Sequence, residues 1–409
     1  MEILYLSYDG LTDPLGQSQV LPYLLGLTRR GHRFTVVSTE KPVAYAQRKG
    51  HIEALLAEVG DGIDWQPIMY TKRPPVLSTL WDVWRMHRRA AQLHRRKRFA
   101  AVHCRSYVTA LVGSRLKRMS GGPAFVFDMR GFWADERVEG GLWNLRNPVY
   151  RAVYRFFKRR ERDFLRQADY AISLTANARD EIRSWPGFAS TPIQVIPCCV
   201  DTTLFATPQP PKGKFLLAPP SGAGIVLSYL GSLGTWYLLD EMLLFFKEIL
   251  LKRPGSVFVF ITPDDPRTVF ATARRLGVAE DRLRVQRAER AEVPALLAQS
   301  DLSVFFIKPS YAKKASSPTK MGEILAVGVP VVCNAGVGDT DLLMTRHRLG
   351  ALVAECTPAA YARVVSDLGE ILEISPEMLR QTAIENFGLE KGVNLYDEVY
   401  GRLGKNGKQ

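Results

Sequence analysis

Two apolar runs flank a helix start in "LSVFFIKPSYAKKASSPTKMGEILAVGVPVVCN" (302–334). "LSVFFI" (302–307) and "VPVVCN" (329–334) are short and bounded by turn residues, the pattern of strands buried on both faces. Between them, Ser317 suits an N-cap and Pro318 the first helical position. Lys320 then falls in the first turn, where a cation opposes the positive end of the helix dipole. A bound anion would reverse that penalty, because dipole, free amides and ammonium would all point at it. Glu323 lies one turn further on the same face. A carboxylate there can accept hydrogen bonds from a diol such as a ribose. The pair reads as phosphate clamp plus ribose hook, a nucleotide-diphosphate site. A capped helix with an exposed i,i+3 ion pair is the alternative.

The same alternation runs outward in both directions. Towards the N-terminus come "EILYLSYD", "RFTVVSTE", "IDWQPIMY", "AAVHCRS", "AFVFDMR", "YAISLT" and "PIQVIP", with helical stretches between them. Around the opening stretch lie "IVLSYLG", "SVFVFIT", "LRVQRA" and "ALVAE". This order argues for α/β architecture, with two Rossmann-like doubly wound domains facing each other across a cleft. The expected boundaries are an N-terminal domain over 1–205, a Pro- and Gly-rich linker over 206–223 and a C-terminal domain over 224–388. A helix and tail over 389–409 is expected to pack back on the N-terminal domain.

The chain has 409 residues, is 46% hydrophobic and carries a formal net charge of +14, which favours anionic partners. Five cysteines, an odd number without a C-x-x-C spacing, suggest neither a disulfide framework nor a zinc site and fit a reducing compartment. The N-terminus does not read as a signal peptide. No uncharged apolar run is long enough to cross a bilayer.

In doubly wound folds ligands bind beyond the carboxyl ends of the strands. After the first strand, "DGLTDPLGQSQV" lacks the G-x-G-x-x-G fingerprint, which weakens a dehydrogenase reading. Gly16 precedes a helix expected near Ser18, where backbone N–H groups could meet a phosphate; a plain βα turn is the alternative.

The opening stretch and "GDTDLL" behind it resemble the donor-site signature of GT-B glycosyltransferases, particularly the retaining family 4. "DPLGQSQVLPYLLGLTRRGHRFTVVS", "FDMRGFWADERVEGG", "VIPCCVD" and "YLGSLGTWYLLDEML" resemble further family segments, so the likeness spans roughly 1–400. It implies a GT-B fold, a nucleotide-diphosphate-sugar donor (UDP or GDP) on the C-terminal domain, an acceptor on the N-terminal domain and no metal or other cofactor. The second glutamate of the family's Glu-x7-Glu motif falls on Glu323. The first would fall on Ala315, with Ser316 and Ser317 as substitutes. The family's Arg and Lys for the diphosphate are absent from "GSLGTWYLLDE" (231–241). Lys320 becomes the main charged candidate, helped by backbone N–H groups near Gly16 and Ser232, with Thr319 beside it. Arg130-Gly131 stands where the family frequently has His-Gly. Arg130, Lys320 and Glu323 are the catalytic candidates; Arg105, Asp135 and Glu136 are the acceptor or auxiliary ones. His32 reads as structural, Cys198 and Cys199 as packing residues, and Asp339 and Asp341 as cleft residues or helix caps.

Between Asp82 and Asp128 there is no acidic residue and there are eleven Lys or Arg. Arg95, Arg96 and Arg98, with Trp81 and Trp84 nearby, suit an anionic membrane surface. An amphipathic helix with a solvated basic face is the alternative for this stretch and for 151–166. No nucleic-acid recognition motif is visible. The expectation is a cytoplasmic, peripheral membrane enzyme acting on a lipid-linked acceptor or a growing glycan in polysaccharide or glycolipid synthesis. A non-catalytic GT-B protein and a nucleotide-sugar epimerase are the rivals.

Overall fold

The computed structural model describes residues 1–206 and 224–406; the expected linker, but for Ala206, lies outside the described residues. Two compact units emerge, Met1–Cys198 with Leu389–Gln409, and Cys199–Gly388.

The first unit holds β1 (Glu2–Ser7), β2 (Arg33–Glu40), β3 (Ile63–Met69), β4 (Ala101–Arg105), β5 (Ala124–Asp128), β6 (Tyr170–Ser173) and β7 (Ile193–Val195). They form one parallel sheet in the order β3-β2-β1-β4-β5-β6-β7. Its centre is apolar on both faces, with Ile3, Leu4, Val36, Val102, Phe125 and Phe127 fully or almost fully buried. The second unit holds β8 (Val226–Leu230), β9 (Val257–Ile261), β10 (Leu283–Gln286), β11 (Leu302–Phe305), β12 (Val331–Asn334) and β13 (Gly350–Val353). These run parallel in the order β10-β9-β8-β11-β12-β13. Each of the thirteen apolar runs in the sequence is a strand.

One boundary differs from expectation, the crossing out of the first unit. The helix Leu389–Asn406 belongs to the first unit. Asp397 takes the His32 ring at 2.7 Å, Tyr396 donates to Asp128 at 3.1 Å and the Tyr400 hydroxyl lies 2.8 Å from His103 Nδ1. At the other crossing the first unit ends at Cys198, not at 205. Val200 and Phe205 lie in the core of the second unit, and Val200 N–H donates to the Phe387 carbonyl at 2.8 Å. Composition marks where the Pro-rich segment begins, but not which core the preceding apolar residues enter.

The loop after β1 is tied down by Glu40. Its buried carboxylate accepts from Leu11 N at 2.8 Å, Thr12 N at 3.1 Å and Ser38 Oγ at 2.5 Å. Gly16 does not precede a helix near Ser18; it lies inside the short helix Pro14–Gln19. A Cβ there would come within 2.0 Å of the Gly10 carbonyl oxygen, so close backbone packing requires this glycine.

Candidate functional site

In the second unit the helix Thr319–Val327 follows β11 and a short turn, Ala312–Ala315. Pro318 occupies the N-cap position with extended backbone and no side-chain cap, so the helix begins one residue later than expected. Ser317 is therefore not its N-cap. Ser316, Ser317 and Thr319 are half-buried around this turn, and Ala315 is 1% exposed.

Lys320 is 7% exposed. Its ammonium lies 3.0 Å from the Tyr229 hydroxyl, 4.3 Å from the Tyr229 ring centre and 3.6 Å from that of Tyr237. Tyr229 donates its own proton to the Ser232 carbonyl at 2.5 Å, which leaves an oxygen lone pair to accept from the lysine. Burial pushes the Tyr229 pKa up and keeps the phenol protonated. Gly231, at φ 113°, admits the lysine tip; a Cβ there would stand 3.1 Å from Nζ. Two rings and a phenol oxygen hold the cation with partial charges only. Burial therefore drives the Lys320 pKa well below its ordinary value, with Glu323 opposing the shift.

Glu323 is also 7% exposed, so the exposed i,i+3 ion pair is not what forms. Its Oε1 accepts from Arg290 at 2.8 Å. Arg290 packs over Phe205, 5.7 Å from the ring centre. Lys313 lies 3.9 Å over the Trp236 ring, next to Tyr237 in sequence. Sequence reasoning missed Arg290, Lys313 and both tyrosines. The only local signal was the aromatic pair in "GTWY", within the segment that lacks basic residues. Asp339 takes the N-cap position of the helix Thr340–Arg346, and Asp341 accepts from Gly336 N at 3.1 Å.

The candidates of the first unit separate into groups. Arg130 follows β5 with φ 56°, in the left-handed region. Its guanidinium is buried, 3.4 Å from Cys198 Sγ and 4.0 Å from Asp128 Oδ2. Asp128 also receives His103 Nε2 at 3.4 Å and the Tyr396 hydroxyl at 3.1 Å. Burial would raise the Asp128 pKa, but Arg130, His103 and Arg105 hold it below the ordinary value. Arg130, a catalytic candidate from the sequence, thus stands in a buried ion pair with Asp128.

Asp135 is likewise consumed by packing. It accepts from Tyr154 and Lys158, each at 2.8 Å, where the helix Trp133–Glu139 meets the helix Pro148–Gln167. Glu136 is half-buried in the first turn of the former. Arg105 ends β4, is 3% exposed and has Nε 3.5 Å from Asp9 Oδ2.

The helix Leu77–Lys97 buries Val83, Met86, Ala90 and Leu93. Its outer side shows Leu77, Leu80, Trp81 and Trp84, with the two indoles stacked at 4.8 Å and Arg88 5.6 Å over Trp84. Arg95, Arg96 and Arg98 are exposed but lie at the far end, and Arg98 is beyond the helix. The tryptophans are not beside them, since fourteen helical residues from Trp81 to Arg95 span about 21 Å. Beside the tryptophans is a groove of about 580 Å³, lined by Gln66, Ile68, Arg85 and Arg89 among others.

Among the described residues no helix is long and apolar enough to cross a membrane, and no cluster of three His, Cys, Asp or Glu could hold a metal ion.

Two parallel doubly wound sheets of this kind define the GT-B fold, as in solved glycosyltransferases. Anabaena HepE, solved with UDP and glucose, is 15% identical over 98% of this chain and 99% of its own, with a TM-score of 0.65. The sucrose-phosphate synthase of Thermosynechococcus elongatus is 15% identical over 99% of this chain and 100% of its own, with a TM-score of 0.71. The lipopolysaccharide outer core galactosyltransferase WaaB is 14% identical over 98% of this chain and 100% of its own, with a TM-score of 0.63. No curated protein sequence matches the chain. The family model described as Glycosyltransferase Family 4 matches residues 19–204. That match takes in less than half of the chain, and the solved structures show the GT-B fold that the whole chain shares with them.

Proposed function

We propose that the protein is a retaining glycosyltransferase that takes a sugar from a nucleotide-diphosphate sugar held on the second unit. The acceptor, a lipid-linked molecule or a growing glycan, binds the first unit at the cytoplasmic face of a membrane. The observation that carries the donor assignment is Lys320, a buried ammonium in the first turn of a helix, held by aromatic rings with no carboxylate in direct contact among the described residues. A diphosphate would supply the missing negative charge. HepE, solved with UDP and with UDP-glucose, favours a uridine donor. The helix amides and Lys320 would stabilise charge on the departing diphosphate, the main task when no enzymic nucleophile is in place. Glu323 would hold the ribose. Ala315 supplies no carboxylate for the sugar, which leaves that contact to Ser316 and Ser317.

A thermal-shift panel of UDP- and GDP-sugars tests this reading. Glu323→Ala should weaken UDP binding by about 1.5–3 kcal/mol. The wild type should prefer UDP to 2′,3′-dideoxy-UDP, and the variant should lose that preference. A variant that still distinguishes the two would remove Glu323 from the ribose. Transfer activity separates an enzyme from a non-catalytic relative, and a free epimerised donor would indicate the epimerase.

The membrane assignment rests on the outer side of the helix Leu77–Lys97. At 100° per residue, Trp81, Trp84, Arg88 and Arg95 fall on one stripe roughly 20 Å long. Arg96 points about 100° away from Arg95. Anionic lipid attracts each nearby arginine by about 1 kcal/mol. Arg88→Glu with Arg95→Glu should therefore lower binding to phosphatidylserine vesicles by at least about 30-fold at low salt. Arg96→Glu should do less. Equal co-sedimentation of wild type and double variant would end the membrane assignment.

A further inference from the structure

Within the first sheet the order reverses between β1 and β4, the place where open parallel sheets generally carry a ligand crevice beyond the carboxyl ends of their strands. Arg105 is the last residue of β4, level with Ser7 of β1. Although it is 3% exposed, its Nε and Nη1 have no hydrogen-bond partner. Two carboxylates lie near it: Asp9 Oδ2 at 3.5 Å, on a side chain 43% exposed, and buried Asp128, its register partner on β5, whose pKa it helps to lower. Buried guanidinium N–H groups without a hydrogen-bond acceptor are costly and rare.

Two further features meet at Arg105. The twelve-residue helix Ser106–Lys117 starts immediately after it, with no acidic residue in its first turn and no side-chain cap. The positive end of that helix is therefore uncompensated. Ser106 also has φ 71°, a strained backbone state for a non-glycine residue that clusters at ligand sites. Buried guanidinium, free helix amides and strained turn converge at the switch point of the sheet.

We propose that this crevice binds a phosphoryl group of the acceptor, so that the acceptor is a phosphorylated molecule. Its tetrahedral oxygens would accept from Arg105 Nε and Nη1 and from the first amides of the helix, displacing Asp9. The source is either a soluble sugar phosphate or the head of a lipid-linked phosphate. This inference rests on the reading of the chain as a transferase with its acceptor on the first unit.

The test is calorimetric titration of the full chain saturated with UDP, which fills the donor site. Inorganic phosphate, glucose 6-phosphate and geranyl diphosphate are the probes. At least one should bind. Arg105→Met should weaken it at least about tenfold, and Asp9→Asn should tighten it, with UDP affinity unchanged in both. Tighter geranyl diphosphate identifies a lipid-linked source, and tighter glucose 6-phosphate a soluble one. The proposal is overturned if no probe binds, if Arg105→Met binds as the wild type does, or if Asp9→Asn fails to tighten. If Arg105→Met does not fold, the Asp9 variant decides alone. Failure of UDP to bind the wild type would instead overturn the donor reading; the phosphate arms then run without UDP and judge Arg105 separately.

Discussion

Lys320→Met should lose UDP binding by at least about 30-fold and at the same time melt at a higher temperature than the wild type near neutral pH. The two effects share one cause. In the free protein the ammonium is buried among Tyr229 and Tyr237, and its pKa is driven well below the ordinary lysine value. Between that lowered value and the unfolded value, the unfolded chain holds a proton that the folded chain has released. Wild-type stability therefore rises with pH through this window. Below the window the folded protein carries a desolvated charge, and methionine removes it while keeping the apolar stem packed. A diphosphate would pull the lysine pKa back up, so UDP should bind with proton uptake in the same window and weaken as pH rises through it. Calorimetry of both proteins in buffers of different ionisation heat measures this directly. A variant that binds UDP normally, or that melts lower at pH 7, would remove Lys320 from the phosphate.

Arg130→Met should do the opposite and unfold the first unit readily, at a cost of roughly 3–5 kcal/mol. The substitution leaves Asp128, 1% exposed, with His103 and Tyr396 as its hydrogen-bonding neighbours. Arg130→Gly should cost slightly less, because glycine relieves the left-handed backbone at φ 56° by about 1–2 kcal/mol. Urea denaturation with an unfolding signal from the first unit reads this out. A folded variant of normal stability that has lost transfer activity would return Arg130 to the chemistry.

The strands are the part of the structure most openly written in the sequence. Parallel strands covered on both faces need unbroken apolar runs, and turn residues must close each run, so "VFVFI" or "VVCN" can hardly be read otherwise. Lys320 and Glu323 were legible for a different reason: a cation in a first helical turn conflicts with the dipole unless something answers it. Their surroundings were not legible. Tyr229 lies 91 residues from Lys320 and reads as an ordinary strand residue, and Arg290 lies 33 residues from Glu323 in a segment without any motif. Arg130 and Asp135 stand in post-strand positions that suit chemistry, and only the packed structure shows their charges already spent on Asp128 and Lys158. The one-residue shift of the helix start has a similar origin, because Ser-Pro-Thr fits a cap at either Ser317 or Pro318.

The return of the helix Leu389–Asn406 to the first unit bears on how the chain is made. The strands of that unit are all synthesised by residue 195, yet Tyr396, Asp397 and Tyr400 arrive only after the 190 residues of the second unit. At 5–20 residues per second the ribosome needs about 10–40 s to cover that interval. Throughout it, His32, His103 and Asp128 lack the partners that later cover them. The nascent first half must wait with an aromatic and charged surface open to water, a natural landing place for a chaperone. A ribosome that stops before the last twenty residues releases two units, of which only the second has all its parts.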